Sequence, residues 1–252
     1  MQNRNTLFVG KVLWSHASVE STNASAQELL AKSNPTEGTV ISAYEQTAGR
    51  GQIGSNWESE AGKNLTLSVI FYPKFLPVRQ QFYLNQAISL AVRATVAACV
   101  HGPVTVKWPN DIYINRQKTA GILIQNQLSG STIQSCIVGI GLNVNQLSFS
   151  EYLPNPTSLA IQISHLLDLE AVQQMLFSEL EYRYLQLRNQ KLAQIEADYR
   201  KHLYQYGVLA DYERADGGRF RGTIMGLTET GKLQIAHADG IEAFEVKSIK
   251  FL

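Results

Sequence analysis

The chain has 252 residues, 44% of them hydrophobic and 17% charged, with a formal net charge of +1. Such a length holds one sizeable core, or a large domain with a small companion, and the composition excludes a disordered chain. The near-neutral, dispersed charge argues against a dedicated nucleic-acid surface.

No run approaches the ~20 apolar residues that span a bilayer. The N-terminus MQNRNTLFVGKVL has no apolar signal core, so a cytoplasmic protein without membrane attachment is expected. Cys99 and Cys136 lie in apolar surroundings and read as buried free thiols of a reducing compartment.

Residues 7–14 alternate loosely and predict a first strand. Ser21, Thr22 or Asn23 then caps a helix running to Lys32, and these three polar side chains also suit the head of a small polar ligand. A β-branched strand follows at 39–44 and runs into EQTAGRGQIGSNW (45–57), where Gly49, Gly51 and Gly54 surround Arg50. Glycines admit close backbone approach and arginine offers a rigid fork of donors, so this loop is a candidate cradle for an anionic or amide-bearing ligand. Its GxGxxG spacing leads into a loop and not a helix, which counts against a dinucleotide site.

Residues 65–73 predict a buried strand, and 80–100 a helix with apolar residues every three and four positions. Short strands at Val104–Lys107 and 112–114 are interrupted at Pro109-Asn110. A hairpin turn at 115–117 leads to strands at 120–125 and 134–142. Asp111 and Lys118 are thereby expected to face one another across an antiparallel pair. A short helix near 159–166 and a helical pattern from Glu170 to about Leu203 complete a catalytic-sized unit, 1–205. Short strands between glycine turns then predict a small β-barrel, 206–252, packed directly on it.

Five scattered histidines lack zinc-site companions, so no protein-held metal is expected, and neither a GxSxG elbow nor a GxxxxGK[ST] loop is present.

Taken in order, STN (21–23), EQTAGRG (45–51), Trp57, NLTLS (64–68), KWPND (107–111), KTAGIL (118–123), GIGLNVN (139–145) and TSL (157–159) resemble the motifs of biotin–protein ligases. The resemblance implies an α/β (α+β) catalytic domain of the class II synthetase-like biotin/lipoate ligase type. A mixed sheet flanked by helices would be followed by a Src-homology-like barrel. It also implies formation of biotinyl-adenylate from biotin and ATP, with Mg²⁺, and transfer of biotin to a lysine of a biotin carboxyl carrier domain.

On that resemblance Ser21, Thr22, Asn23 and Gln46 serve the ureido ring. Gly49, Arg50, Gly51, Gln52, Lys118 and Gly121 complete the biotin set. Trp57, Asn110, Asp111 and Asn143 join Arg50 and Lys118 around the nucleotide. The catalytic trio is Arg50 for carboxylate and phosphate oxygens, Lys118 for charge growing at the α-phosphate, and Asp111 for orienting the acceptor lysine.

The sequence departs from the family at Gln52, where a second arginine usually follows GRG, and at Ser55-Asn56, which replace a basic pair. Weaker retention of the adenylate is the expectation, by about 1–2 kcal/mol for one charged bond. Comparing adenylate release with Gln52→Arg tests it. The glycine loop is expected to order around the ligand as a flap.

Only about 20 residues precede STN, too few for a helix-turn-helix, so a monofunctional ligase without specific DNA binding is expected. Exposed sheet edges leave room for a homodimer. The alternatives are a lipoate/octanoate–protein ligase and a non-catalytic biotin sensor.

Overall fold

The computed structural model describes residues 6–52 and 55–252, so Gly54 of the glycine cluster lies outside the described residues. The first sheet contains β1 (Leu13–Val19), β2 (Val40–Gln46), β3 (Leu65–Phe71), β4 (Val104–Lys107), β5 (Asp111–Ile114), β6 (Gln117–Ser129) and β7 (Thr132–Leu142). Their order is β1-β2-β3-β7-β6-β5-β4, seven strands in all. β1 and β2 run parallel, joined through helix α1 (Thr22–Lys32), and every other neighbouring pair is antiparallel. The sheet is therefore mixed, as expected.

The two-residue period of the strands decides what each face does. In β3 and β7, Leu65, Leu67, Val69, Phe71, Val138, Ile140 and Leu142 enter the main core with α2 (Gln81–Cys99) and α4 (Leu169–Arg188). The alternate residues Ile70 and Ile137 point the other way and join Ile41 and Ala26 in a smaller cluster that includes α1. α1 is too short to cover that whole face. Beyond it the outward positions are Thr66, Ser68, Gly139, Gly141 and Gly121, paired across the sheet as Ser68–Gly139, Thr66–Gly141 and Gly121–Gly141. A row of small residues on an uncovered sheet face is what makes room for a site.

The remaining elements are α3 (Leu159–Ile163), α5 (Leu192–Lys201) and a second, five-stranded antiparallel sheet. Its strands are β8 (Leu209–Arg214), β9 (Arg219–Leu227), β10 (Leu233–His237), β11 (Gly240–Phe244) and β12 (Ile249–Phe251), in the order β11-β10-β9-β8-β12. Tyr212, Ile224, Leu233, Ile235 and Phe244 from this sheet belong to the same apolar cluster as the main core. The two sheets thus share one interior.

Four expectations change. Residues 7–12 are not a strand, because the buried Glu181 carboxylate accepts the N–H groups of Leu7, Phe8 and Val9 at 2.7, 2.7 and 3.0 Å and leaves no ladder to form. The helical pattern to Leu203 is broken between α4 and α5, where Gln190 adopts φ 56°. β6 extends well past 120–125 while β7 matches 134–142 but for two added residues at its start, and the two form a long hairpin turning at Gly130, with φ 57°. In the second sheet, β8 precedes the predicted strands, and EAFEVKSIKF divides into β11 and β12 around a turn at Lys247.

Candidate active site

The site is a cavity of about 270 Å³ over the glycine row, walled by the start of α1, the end of β2, the loop after it and the β5–β6 hairpin. It brings together Ser21, Thr22, Asn23, Gln46, Arg50, Gly51, Gln52, Trp57, Asp111, Lys118 and Gly121, eleven of the predicted site residues. Three others stand apart. Gly49 lines an adjoining hollow that shares Gln46, Arg50, Asn56 and Trp57 with the first, and Asn110 and Asn143 lie behind the wall.

At one end of the cavity the side chains of Thr22, Asn23, Gln46, Ser68 and Gln125 are tied together. Ser21 occupies the N-cap of α1 yet makes no side-chain cap bond, so the three polar residues are not there to cap the helix. Thr22 donates from both N and Oγ1 to Gln46 Oε1, at 2.8 and 3.1 Å. Asn23 Nδ2 donates to Gln125 Oε1 at 2.8 Å. The Ser68 hydroxyl lies 2.6 Å from Asn23 Oδ1 and 2.8 Å from Thr22 Oγ1. Ser21, Thr22, Asn23 and Ser68 are all buried. A network so connected holds each donor and acceptor in one orientation, which suits recognition of a neutral hydrogen-bonding ring.

Glycine supplies the space. A methyl group on Gly139 would overlap Asn23 Oδ1, one on Gly141 would overlap the Trp57 indole, and one on Gly121 would sit 2.9 Å from Trp57 Cζ3. The glycines of the GIG and AGIL motifs therefore leave the space that Asn23 and Trp57 occupy.

The other end is charged. Lys118 Nζ lies 2.8 Å from Asp111 Oδ1, so the two residues face one another across the hairpin as predicted. Their side chains are 30% and 31% exposed, where an ion pair contributes at most about 1 kcal/mol. Stability alone does not account for that placement. Lys118 is also fixed through its backbone, donating to Asn155 O at 2.8 Å and accepting from Thr157 N at 2.9 Å, and its ammonium stands 5.8 Å from the Trp57 ring centroid.

The glycine loop is a tight hairpin in its described part. Trp57 N donates to Gly49 O, Gly51 N to Ser55 O, and Arg50 bridges to Asn56. A methyl group on Gly49 would overlap Trp57 O. Gly49 thus serves hairpin closure. Gln52 is engaged as well, donating from Nε2 to Asn110 Oδ1 at 3.1 Å and so tying the loop to the KWPND turn.

Asn110 completes its amide by donating to Ile122 O at 2.6 Å, which makes it a brace behind the wall. Asn143 donates to Thr157 O at 3.0 Å, while its Oδ1 and the Trp57 Nε1 are buried without a hydrogen-bond partner among the described residues. An unpaired buried polar atom costs about 1–3 kcal/mol. Lys107 belongs to the support and not the cavity. Its ammonium sits 5.1 Å from the Tyr113 ring centre and 5.0 Å from that of Phe251, and burial holds its pKa below the usual range against the pull of Asp111.

Sequence reasoning missed Ser68's role, Gln125 and Lys247. Ser68 was legible in the alternation of LTLSVIF, whereas Gln125 and Lys247 reach the site only through tertiary contacts. No group of three His, Cys, Asp or Glu among the described residues has the geometry of a metal site.

A connected polar wall, a row of glycines and a cation–carboxylate pair thus meet over one face of a mixed sheet. Residues 15–143 match the family model described as the Biotin/lipoate A/B protein ligase family, and the chain belongs to that family.

Among relatives, it is 34% identical over 221 residues to a biotin–[acetyl-CoA-carboxylase] ligase of Mycobacterium tuberculosis, covering 86% of this chain and 80% of that one. It is 32% identical to the bifunctional ligase/repressor BirA of Bacillus subtilis, covering 94% and 73%. A solved biotin protein ligase from Aquifex aeolicus, in complex with biotin and ATP, superposes with a TM-score of 0.79 at 26% identity, over 96% of this chain and 99% of that one. Within the family, this chain is a biotin–protein ligase.

Proposed function

We propose that this cavity joins biotin to ATP and then passes biotin to a lysine of a biotin carboxyl carrier domain. The observation that carries the reading is the polarity of one cavity, neutral and hydrogen-bonding at the Ser21–Gln46 end and charged at the Arg50–Asp111–Lys118 end. The ureido ring meets Ser21, Thr22, Asn23 and Gln46. Its carboxylate lies toward Arg50 and Lys118.

In the first step a biotin carboxylate oxygen attacks the α-phosphorus of ATP and the bond to the β-phosphoryl oxygen breaks, releasing pyrophosphate. Lys118 and Arg50 neutralise the charge that gathers on the phosphoryl oxygens. In the second step the acceptor's amine attacks the acyl carbon and AMP leaves, with Asp111 receiving or orienting the amine's proton. Trp57 serves the adenine from the cavity wall, with Asn143 behind it.

Mg²⁺ would arrive on the triphosphate. The division of labour follows the sheets, with a catalytic unit over 1–205 and a supporting unit over 206–252. The exposed edge of β1 offers a surface for a second copy.

The test is transfer of labelled biotin to a carrier domain, with Lys118→Ala and Arg50→Gly as variants. Label on the carrier that depends on ATP, and is lost in both variants, is the expected result. Transfer of lipoate in preference to biotin would instead assign the lipoyl branch, and biotin binding without pyrophosphate exchange would make the protein a sensor.

A further inference from the structure

Asn23 stands over β7 at Gly139 and is gripped from the strands on either side. A methyl group on Gly139 would overlap Asn23 Oδ1, and Gly139 pairs with Ser68 of β3 and with Leu123 of β6. From β3, the Ser68 hydroxyl reaches Asn23 Oδ1 at 2.6 Å. From β6, Gln125 Oε1 accepts from Asn23 Nδ2 at 2.8 Å. Asn23 lines the cavity, with Ser68 and Gln125 behind it. Gln125 follows Gly121 and Leu123 at the two-residue period of β6, which puts it on the same face as the glycine row.

This chain of hydrogen bonds has a direction. An amide oxygen only accepts, an amide nitrogen only donates, and a hydroxyl has one proton to give. Ser68 stands 2.6 Å from Asn23 Oδ1 and 2.8 Å from Thr22 Oγ1, so it cannot donate to both. With Asn23 Nδ2 given to Gln125, the Asn23 Oδ1 faces Ser68 and takes the Ser68 proton. Thr22 Oγ1 then donates its own proton to Gln46 Oε1 at 3.1 Å and keeps its lone pairs for a donor in the cavity that Thr22 lines. Turning the Gln125 amide to present Nε2 would reverse each link. Asn23 Oδ1 would turn to Gln125, Asn23 Nδ2 to Ser68, and the Ser68 proton would pass to Thr22 Oγ1. A lone pair that could meet the N–H of a bound ring would then be occupied within the protein.

We propose that Gln125 is a positioning residue for biotin. By accepting from Asn23 it fixes the direction of this chain and holds Thr22 Oγ1 as an acceptor for a ureido N–H. The inference rests on the ligase reading of the cavity.

The experiment compares the full-length protein with Gln125→Glu, which can only accept at that place, and with Gln125→Leu, which neither accepts nor donates. Gln127→Leu is the control, since that amide lies two residues along β6 and accepts from Ser135 Oγ at 3.0 Å, outside the cavity. Calorimetry gives the Kd for biotin and for desthiobiotin, an analogue with the same ureido ring and no thioether. The ATP KM and the kcat of adenylate formation are measured at saturating biotin. Gln125→Leu should weaken both biotin and desthiobiotin about tenfold, the worth of one buried hydrogen bond. Its ATP KM and kcat should be unchanged, and Gln125→Glu and Gln127→Leu should stay near the parent throughout.

A leucine variant that binds biotin as the parent does overturns the proposal. Equal loss in the glutamate and leucine variants also overturns it, by assigning Gln125 to packing, and so does a kcat that falls along with affinity. Weakening of biotin but not of desthiobiotin would place the effect at the thioether and sink the idea as well. Gln125→Ala supplies the same comparison should the leucine variant not fold. A parent that binds no biotin removes the ligase reading and this proposal with it, whereas a binding parent with indifferent variants removes this proposal alone.

Discussion

Gly139 shows how much of this site depends on an absent side chain. A methyl group there meets Asn23 Oδ1, whose amide is buried and held by Gln125 and by the Ser68 hydroxyl. Gly139→Ala should weaken biotin binding about tenfold or more, equivalent to ~1.4 kcal/mol, while leaving the fold intact. Titration calorimetry reads this directly. Asp111 poses a different question, because its neighbour Lys118 serves the first step and Asp111 the second. Asp111→Asn should keep biotin-dependent pyrophosphate exchange within about tenfold while lowering transfer to the carrier lysine by roughly 100-fold or more. Equal loss of both activities would assign Asp111 to positioning Lys118. The individual site residues were largely legible in the sequence, since motif spacing named eleven that line the cavity. What spacing could not convey is which polar groups face inward. Asn110 and Asn143 carry the same chemistry as Asn23, yet one braces the Gln52 loop and the other is turned toward Thr157.

At the scale of elements, periodicity was a good guide wherever a face is buried. α2 places Leu84, Ile88, Ala91, Val92, Thr95 and Val96 in the core at the spacing its sequence shows. It misled where a side chain from far along the chain replaces a ladder. Leu7, Phe8 and Val9 alternate as a strand would, but Glu181 on α4 takes their three N–H groups. Removing that carboxylate leaves buried donors unpaired, so Glu181→Ala should lower stability by about 3 kcal/mol, and urea unfolding should show a lower midpoint with an unchanged slope. The break after α4 is instead local. With Asn189 as the C-cap, Gln190 N donates to Leu187 O at 3.0 Å and Lys191 N to Gln186 O at 3.1 Å, a helix-ending motif that puts Gln190 in the left-handed region.

Over the whole molecule, the KWPND turn is gripped from several sides. Asn85 Nδ2 and the Tyr199 hydroxyl both donate to Pro109 O, at 2.9 and 2.7 Å, and Trp108 Nε1 donates to Gly231 O of the second sheet at 2.9 Å. β4 is held in turn by the segment after α5, where Val106 N donates to His202 O and Tyr204 N to Val106 O. His202 links this junction to pH. Burial, together with the charges of Arg93, Lys201 and Arg183, lowers its pKa from 6.5 against the opposing pull of Asp198. As pH falls through 6.5 the unfolded chain binds a proton before the folded chain does, so acidification costs stability until the folded pKa is passed. Thermal melts between pH 7.5 and 5.5 should show the parent losing more than His202→Gln. The single apolar interior that joins the two sheets has a consequence for cleavage. Gly207 lies exposed at the junction, an inviting place for a protease. A cut there would divide one core in two, laying bare Tyr212, Ile224 and Leu233 on one fragment and their partners on the other. Neither piece should survive as a resistant product, and limited digestion should pass from intact chain to small peptides without a stable intermediate band.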